Sequence, residues 1–310
     1  MTEPVVKLTK NRDTNQPTKL GSGFFGDVYL GKIKTLTGRK QGQVAVKIFK
    51  GVNDYAYEYD EVDLVSGARY YDRYWDKPKI TPDDYAPVFN VLDEIRKKYR
   101  GKLITPKQYF ANLDPAHAHG LIEKPAKVIV SEAFKSAATS KEKRGFGGIA
   151  NAIKNKEMSK SSLYALIGAL VDSAEHGVFY HNDGFGSIKL AKKTLPVLRD
   201  ADQLAFDKKR YDLGHRSSGF GKWLAEQTFH LMAAKYIHPS FGTVDMNSPE
   251  LKADVRRLKT QIARSKIHGA IKEHTLKTID ELASEKSPRS VSWWISEFAH
   301  PRTHQEEYGD

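Results

Sequence analysis

The chain has 310 residues, 39% of them hydrophobic and 28% charged, a balance that excludes a disordered or collagen-like chain and leaves room for two small domains or one two-lobed domain. Its 50 Lys and Arg outweigh 38 Asp and Glu to give +12, which suits anionic partners such as nucleotides, nucleic acid, acidic protein or a membrane surface. The absence of cysteine excludes disulfides, thiolate metal sites and a cysteine nucleophile, and no run reaches the roughly 18 apolar residues of a membrane-spanning helix.

Met1 to Asn15 carries charges and no apolar core, so it does not read as a cleavable secretory signal. Val28-Tyr29-Leu30 and the run from Val44 to Phe49 are β-branched and apolar, bounded by Gly and polar residues, and predict strands. Between Tyr55 and Tyr74 there is no proline, and Val62, Leu64, Val65 and Ala68 predict a helix. Asp84 to Lys98 predicts another, whereas Asp114-Pro115 and the His117/His119 region read as loop. Val128-Ile129-Val130 is a short buried strand, and the polar stretch from Lys135 to Ser161 reads as a linker or mobile loop with a short helix. Leu163, Leu166, Ile167, Leu170, Val171 and Ala174 line one helical face up to His176, with Ser161 or Ser162 as cap and Gly177 as terminator. Short strands follow at Ile188–Leu190 and Val197–Leu198, then helices over Gly221–Ile237 and Pro249–Ser284, with Trp293-Trp294 as core residues in preference to a docking patch. Strands first and helices afterwards predict an α+β protein in two lobes.

Gly21-Ser22-Gly23-Phe24-Phe25-Gly26-Asp27-Val28 fits G-x-G-x-x-G-x-V. Glycines let backbone N–H groups close over phosphates with no Cβ in the way, and Val28 offers an apolar face to a base. A tight hairpin with no ligand would use the same residues, so the context discriminates. A dinucleotide fingerprint follows a strand and opens a helix. Here Val28-Tyr29-Leu30 reads on as strand, and Val44-Ala45-Val46-Lys47 follows as another.

In these residues the chain resembles the protein kinase superfamily, whose N-lobe has a glycine-rich hairpin followed by a V-A-x-K strand. The resemblance spans about Lys19 to Ile237 and implies a bilobal kinase-like fold: a tail at 1–17, a small β-rich N-lobe at 18–134 with an insertion at about 76–124, and a mainly helical C-lobe at 135–310. It implies ATP bound by Leu20, Gly21, Ser22, Gly23, Gly26, Val28, Ala45 and Lys47, with Glu132 to Phe134 as the hinge facing adenine. Glu61, with Glu58 as second choice, would pair with Lys47 from the following helix. Asp183 in His181-Asn182-Asp183 would orient and deprotonate the attacking hydroxyl, Asp200 would hold Mg²⁺, and Asp212 would steady the catalytic loop.

The chain also departs from the family. Ser187 stands where an Asn would bind a second metal, Phe185 replaces the loop lysine, and Asn182 replaces the arginine before the catalytic Asp. Asp212 follows Asp200 by only twelve positions, too few for a full activation segment, and no A-P-E appears. The resemblance therefore implies an atypical or bacterial-effector-type Ser/Thr kinase, not switched by activation-loop phosphorylation, acting on a protein substrate in the cytoplasm or, for an effector, inside a host cell. A small-molecule kinase and a pseudokinase scaffold are the competing readings. Lys252, Arg256, Arg257, Lys259, Arg264, Lys266, Lys272 and Lys277 hold much of the positive excess, either as a solvated face or as a site for an acidic partner or anionic membrane. Aromatics do not interleave there, which disfavours single-stranded nucleic acid.

Overall fold

The computed structural model describes residues 4–23, 26–33, 42–49, 60–62, 69–71, 86–132, 142–180, 184–190, 193–198, 213–236 and 244–284. The chain divides into two units, one drawn from Met1–Ala86 and Gln108–Ala133, the other from Pro87–Lys107 and Phe134–Asp310.

In the first unit β1 (Val5–Leu8), β2 (Lys19–Gly23), β3 (Gly26–Ile33) and β4 (Gly42–Phe49) are followed by a separate pair, β5 (Asp60–Val62) and β6 (Arg69–Tyr71). After α1 (Ala86–Lys98), which lies in the second unit from Pro87 onward, come β7 (Gln108–Leu113), α2 (Pro115–Ala118) and β8 (Ala126–Glu132). The six-stranded sheet has the order β1-β7-β8-β4-β3-β2, and β1 also pairs with β3. Five strands therefore close into a ring and β2 hangs from its β3 side. Alternation decides which residues fill the ring, because successive side chains of a strand point to opposite faces. Val6, Leu8, Tyr29, Ile33, Val44, Val46, Ala111, Leu113, Val128 and Val130 form one buried cluster with Ala118 of α2. Gly31 belongs to the same alternation: a Cβ there would stand 2.6 Å from Val46 Cγ2, so β4 can approach only a glycine.

The second unit continues with β9 (Glu142–Arg144), α3 (Gly145–Lys154), α4 (Lys160–Glu175), β10 (Phe185–Leu190), β11 (Lys193–Leu198), α5 (Leu213–Ala233), a 3₁₀ turn (Ala234–Tyr236), α6 (Pro249–Arg264) and α7 (Gly269–Ser284). Its core gathers Leu166 and Leu170 of α4, Leu224 and Phe229 of α5, Leu258 and Ile262 of α6 and Ile271 and Ile279 of α7. Helix α7 lies directly on α5 at Gly221, where a Cβ would stand 2.5 Å from His274 Cβ and 2.7 Å from the Ile271 carbonyl oxygen.

Several expectations change. Residues 1–17 are not a tail throughout, since β1 pairs with β3 and β7 and buries Val6 and Leu8. The supposed insertion at 76–124 supplies both units: Val88, Val91, Leu92 and Ile95 of α1 enter the core of the second, and β7 bonds to β8 and β1 in the first. The apolar spacing of α1 and the alternation of Ala111 and Leu113 are the physical cause. The stretch Tyr55–Tyr74, read as helical, contains β5 and β6 in antiparallel register instead, with β-branched and aromatic residues suited to pairing. Asp114 is not simple loop; its carboxylate caps the one-turn α2 by accepting from Ala116 N at 2.8 Å. The cap of α4 is Ser159, whose Oγ accepts from Ser162 N at 3.2 Å, and Gly177 ends the helix with φ 72°. Pro249–Ser284 is two helices, because Ser265 turns extended and its hydroxyl takes the Ile262 carbonyl. Trp293 and Trp294 lie outside the described residues.

One buried group predicts acid sensitivity for the second unit. His230 of α5 is almost wholly buried, and burial pushes its imidazole down to about 4, partly offset by a hydrogen bond with the Glu226 backbone. The unfolded imidazole titrates near roughly 6.5, so the unfolded chain binds more protons as pH drops below that value. This contribution is complete above pH about 6.5 and is lost as pH falls toward 4. The melting temperature should decline between pH 7 and 4.5, and His230→Gln should flatten the decline. Equal slopes in the two proteins would contradict the assignment.

Candidate functional site

The glycine motif forms the β2–β3 hairpin, with Gly21 opposite Val28, Ser22 opposite Asp27 and Gly23 opposite Gly26. The chain continues from Gly26 into a strand and not a helix, which excludes the dinucleotide-binding geometry. The register shifts between Lys19 and Gly21, so Leu20 sits at the irregularity, 47% exposed despite its apolar side chain. A Cβ on Gly21 would meet nothing within 4 Å, so open space borders this glycine. Lys19 Nζ and Asp27 Oδ2, 3.1 Å apart, clamp the two strands.

Val28 pairs with Lys47, and Lys47 with Ile129; Leu30 pairs with Ala45, and Ala45 with Ser131. These two rows occupy the face of the sheet turned away from the ring interior, and Val28, Ala45 and Lys47 are half-buried there. Val44 is opposite Glu132 at the end of β8. The structure thus brings Leu20, Gly21, Val28, Ala45, Lys47 and the Glu132 backbone onto adjacent antiparallel strands of one sheet. Apolar side chains next to an ammonium can cover a flat ring and hold a phosphate attached to it. Phe134 lies outside the described residues. Glu61 is in β5 opposite Tyr70, and it loses the helix on which its pairing with Lys47 rested.

In the second unit, α4 leads through Gly177 to Tyr180, which is fully buried. Burial also pushes the Tyr180 phenol well above its ordinary range, so it stays protonated. The Tyr180 carbonyl accepts a hydrogen bond from Gln227 Nε2 of α5 at 2.5 Å, inside the core. His181, Asn182 and Asp183 come next in the chain and lie outside the described residues, as do Asp200 and Asp212. The β10–β11 hairpin pairs Phe185 with Leu198, so the chain enters β10 and leaves β11 at the same end of the hairpin. Asp183 precedes that end by two residues and Asp200 follows it by two.

Ser187 sits within the hairpin, paired with Pro196 on one side and Lys143 of β9 on the other. It is 3% exposed, and its hydroxyl donates to the Gly148 carbonyl at 3.0 Å. The hydroxyl expected on a cation ties β10 to α3. Among the described residues no group of three or more His, Asp or Glu side chains converges as a metal site. His119, expected as a loop histidine, has Nε2 3.3 Å from the Leu8 carbonyl.

Gln227 is the residue that sequence reasoning missed. Its signal is the polar run Glu226-Gln227-Thr228, all three residues buried in a helix whose neighbours Leu224, Ala225, Phe229 and Leu231 are core residues. A buried amide needs a partner, and the Tyr180 carbonyl is that partner.

No protein-family model matches this chain, and no curated protein does. Among solved structures it is similar to the crystal structure of the Mycobacterium tuberculosis PknI kinase domain, a double mutant, at 13% identity and a TM-score of 0.32, with 92% of this chain and 95% of that chain covered.

Proposed function

We propose that the protein is an ATP- and magnesium-dependent phosphotransferase with a bilobal kinase-like fold, acting on a hydroxyl of a protein substrate as an atypical Ser/Thr kinase. The observation that carries this reading is the strand register of the first unit, which continues the glycine hairpin into β3 and sets Val28 opposite Lys47 on β4. The open space at Gly21 and the exposed Leu20 fit a nucleotide laid against the hairpin. In this reading Lys47 holds the α and β phosphates, Asp183 orients the hydroxyl and takes its proton, and Asp200 holds the cation. Magnesium, bound through oxygen donors, neutralises charge on the phosphates.

Ser187 favours a second reading. Its side chain is 3% exposed, enclosed between β11 and β9 and tied to Gly148, so the position that would complete a two-metal site is shut inside the fold. A nucleotide-binding pseudokinase would tolerate this. The deciding experiment incubates the protein with γ-labelled ATP, Mg²⁺ and a mixture of protein hydroxyl acceptors. Transfer by the native protein that disappears in Lys47→Ala and in Asp183→Ala supports the enzyme; ATP binding without transfer by the native protein supports the pseudokinase.

Gln227 enters this scheme as a positioning residue, since it fixes the backbone one residue before His181-Asn182-Asp183. Gln227→Met keeps most of the volume and removes the donor, costing the Tyr180 carbonyl its hydrogen bond from α5, about 1 to 3 kcal/mol if nothing replaces it. We expect kcat to fall roughly tenfold to a hundredfold with the KM for ATP nearly unchanged, because a misplaced catalytic loop raises the barrier without touching the nucleotide. A change confined to KM would remove Gln227 from this role.

A further inference from the structure

Helix α6 separates its residues by face. Leu251, Asp254, Val255, Leu258 and Ile262 are buried, and the opposite face carries Ala253, Arg256, Arg257, Thr260, Gln261 and Arg264 at helical spacing. These six residues line a shallow, solvent-open groove of about 500 Å³ along the helix. Arg256 and Arg264 are eight residues apart, so the guanidinium row extends roughly 12 Å along the axis.

The other basic residues of α6 and α7 have work within the fold. Lys259 pairs with Asp280 across the two helices at 2.5 Å. Lys272 Nζ donates to the Ser265 carbonyl at 2.7 Å and so closes the end of α6. Lys277 is 3.9 Å from Glu281. Arg257, 80% exposed, reaches the edge of Asp254 at 3.6 Å, but that carboxylate is already held by Lys235 at 2.7 Å. Arg256 and Arg264 have no carboxylate partner among the described residues. An ordinary solvated helix would offset such a row with acids three or four positions away. Here those neighbours on the groove face are Ala253, Thr260 and Gln261.

We infer that this groove is a docking surface for an acidic polypeptide segment. The positive row selects an anionic occupant, and the remaining groups select a peptide. Guanidinium forks match carboxylates in bidentate geometry. Thr260 Oγ donates its own proton to the Arg256 carbonyl at 2.8 Å, so toward the groove it offers only lone pairs, and the Gln261 amide offers an acceptor as well as a donor. Acceptors between cations suit peptide N–H groups, whereas a phosphodiester backbone supplies acceptors alone. Among the described residues Ala253 is the one apolar member of the lining and none is aromatic, which gives a bilayer core little to hold and a base nothing to stack on. The described lining belongs to α6, and the surface stands independently of the phosphotransfer reading.

The test measures fluorescence anisotropy of a labelled twelve-residue Asp/Glu-rich peptide with the full chain at physiological salt and without nucleotide. A neutral peptide of the same length, a twelve-base-pair duplex and phosphatidylcholine vesicles containing phosphatidylserine are the comparators. The acidic peptide should bind in preference to all three. R256E/R257E/R264E should weaken it at least tenfold, and the triple Arg→Lys variant should weaken it severalfold, because charge remains while the fork is lost. If charge reversal lowers the melting temperature, the Lys variant decides the matter alone. Absence of peptide binding, binding unchanged in the Lys variant, or tighter binding of duplex or vesicles than of peptide would each overturn the proposal.

Discussion

Alanine at Lys47 is expected to reduce phosphoryl transfer by roughly a hundredfold to a thousandfold while leaving the first unit folded. Phosphoryl transfer depends chiefly on positioning and charge neutralisation, and a donor aimed at developing charge in a preorganised site contributes about 10² to 10³ in rate. The fold should survive because Lys47 is on the outward row of β4, while Val44 and Val46 hold the ring interior. Asp183→Ala should cost about 10² to 10⁴, the range for a general base, with the KM for ATP little affected. The two variants separate the roles: Lys47→Ala should also weaken nucleotide binding, readable by titration with a fluorescent ATP analogue, and Asp183→Ala should not. Full activity in both would end the phosphotransferase reading.

Loss of the Asp254 carboxylate should be the most damaging single change to the second unit. Asp254 is 4% exposed and accepts from Tyr164 OH of α4 at 2.7 Å, from Tyr236 OH at 2.5 Å and from Lys235 Nζ at 2.7 Å. One carboxylate therefore joins α4, the 3₁₀ turn after α5, and α6. Asp254→Ala leaves Lys235, largely withdrawn from water, without the carboxylate it touches, and removing one partner of such a pair costs about 3 kcal/mol or more. At roughly 2 to 4 °C per kcal/mol the melting temperature should drop by about 6 to 12 °C. Burial alone would raise the Asp254 carboxyl, but the hydrogen bonds from Lys235, Tyr236 and Tyr164 together bring it below the usual carboxylate range. The folded form therefore binds fewer protons than the unfolded one. The stabilisation is complete above the ordinary carboxylate range near pH 4 and is lost as pH falls through the lowered folded value. Denaturant titration near pH 7 measures the cost directly; a change below 1 kcal/mol would show that the cluster does not hold the helices together.

The site was legible where chemistry and local periodicity coincide. Gly21 to Val28 reads as a glycine hairpin because a strand pattern follows it, and β3 continues as that pattern requires. Lys47 reads as an outward residue because Val44 and Val46 alternate with it. Helix α4 reads correctly from its apolar face, although its cap is two residues earlier than Ser161. Glu61 was misplaced because a short apolar pattern rich in tyrosine suits a helix or a strand about equally, and pairing with β6 is a tertiary matter. Helix α1 reads as a helix but falls within the stretch that reads as an insertion, since its sequence does not say which core takes Val91 and Leu92.

By itself the sequence determined the alternation of the strands, the faces of α1, α4 and α6, the glycine hairpin and the inventory of charged groups, because each depends on residues a few positions apart. Tertiary structure alone decided that β1 closes a ring with β3 and β7, that Gln227 meets the Tyr180 carbonyl, and that the Ser187 hydroxyl goes to Gly148. These partners are distant in sequence, and their choice follows from filling a core while leaving no buried polar group unpaired. The same rule sorted the +12 charge. Lys235, Lys259 and Lys272 went to partners within the fold, and the arginine row of α6 was left facing solvent.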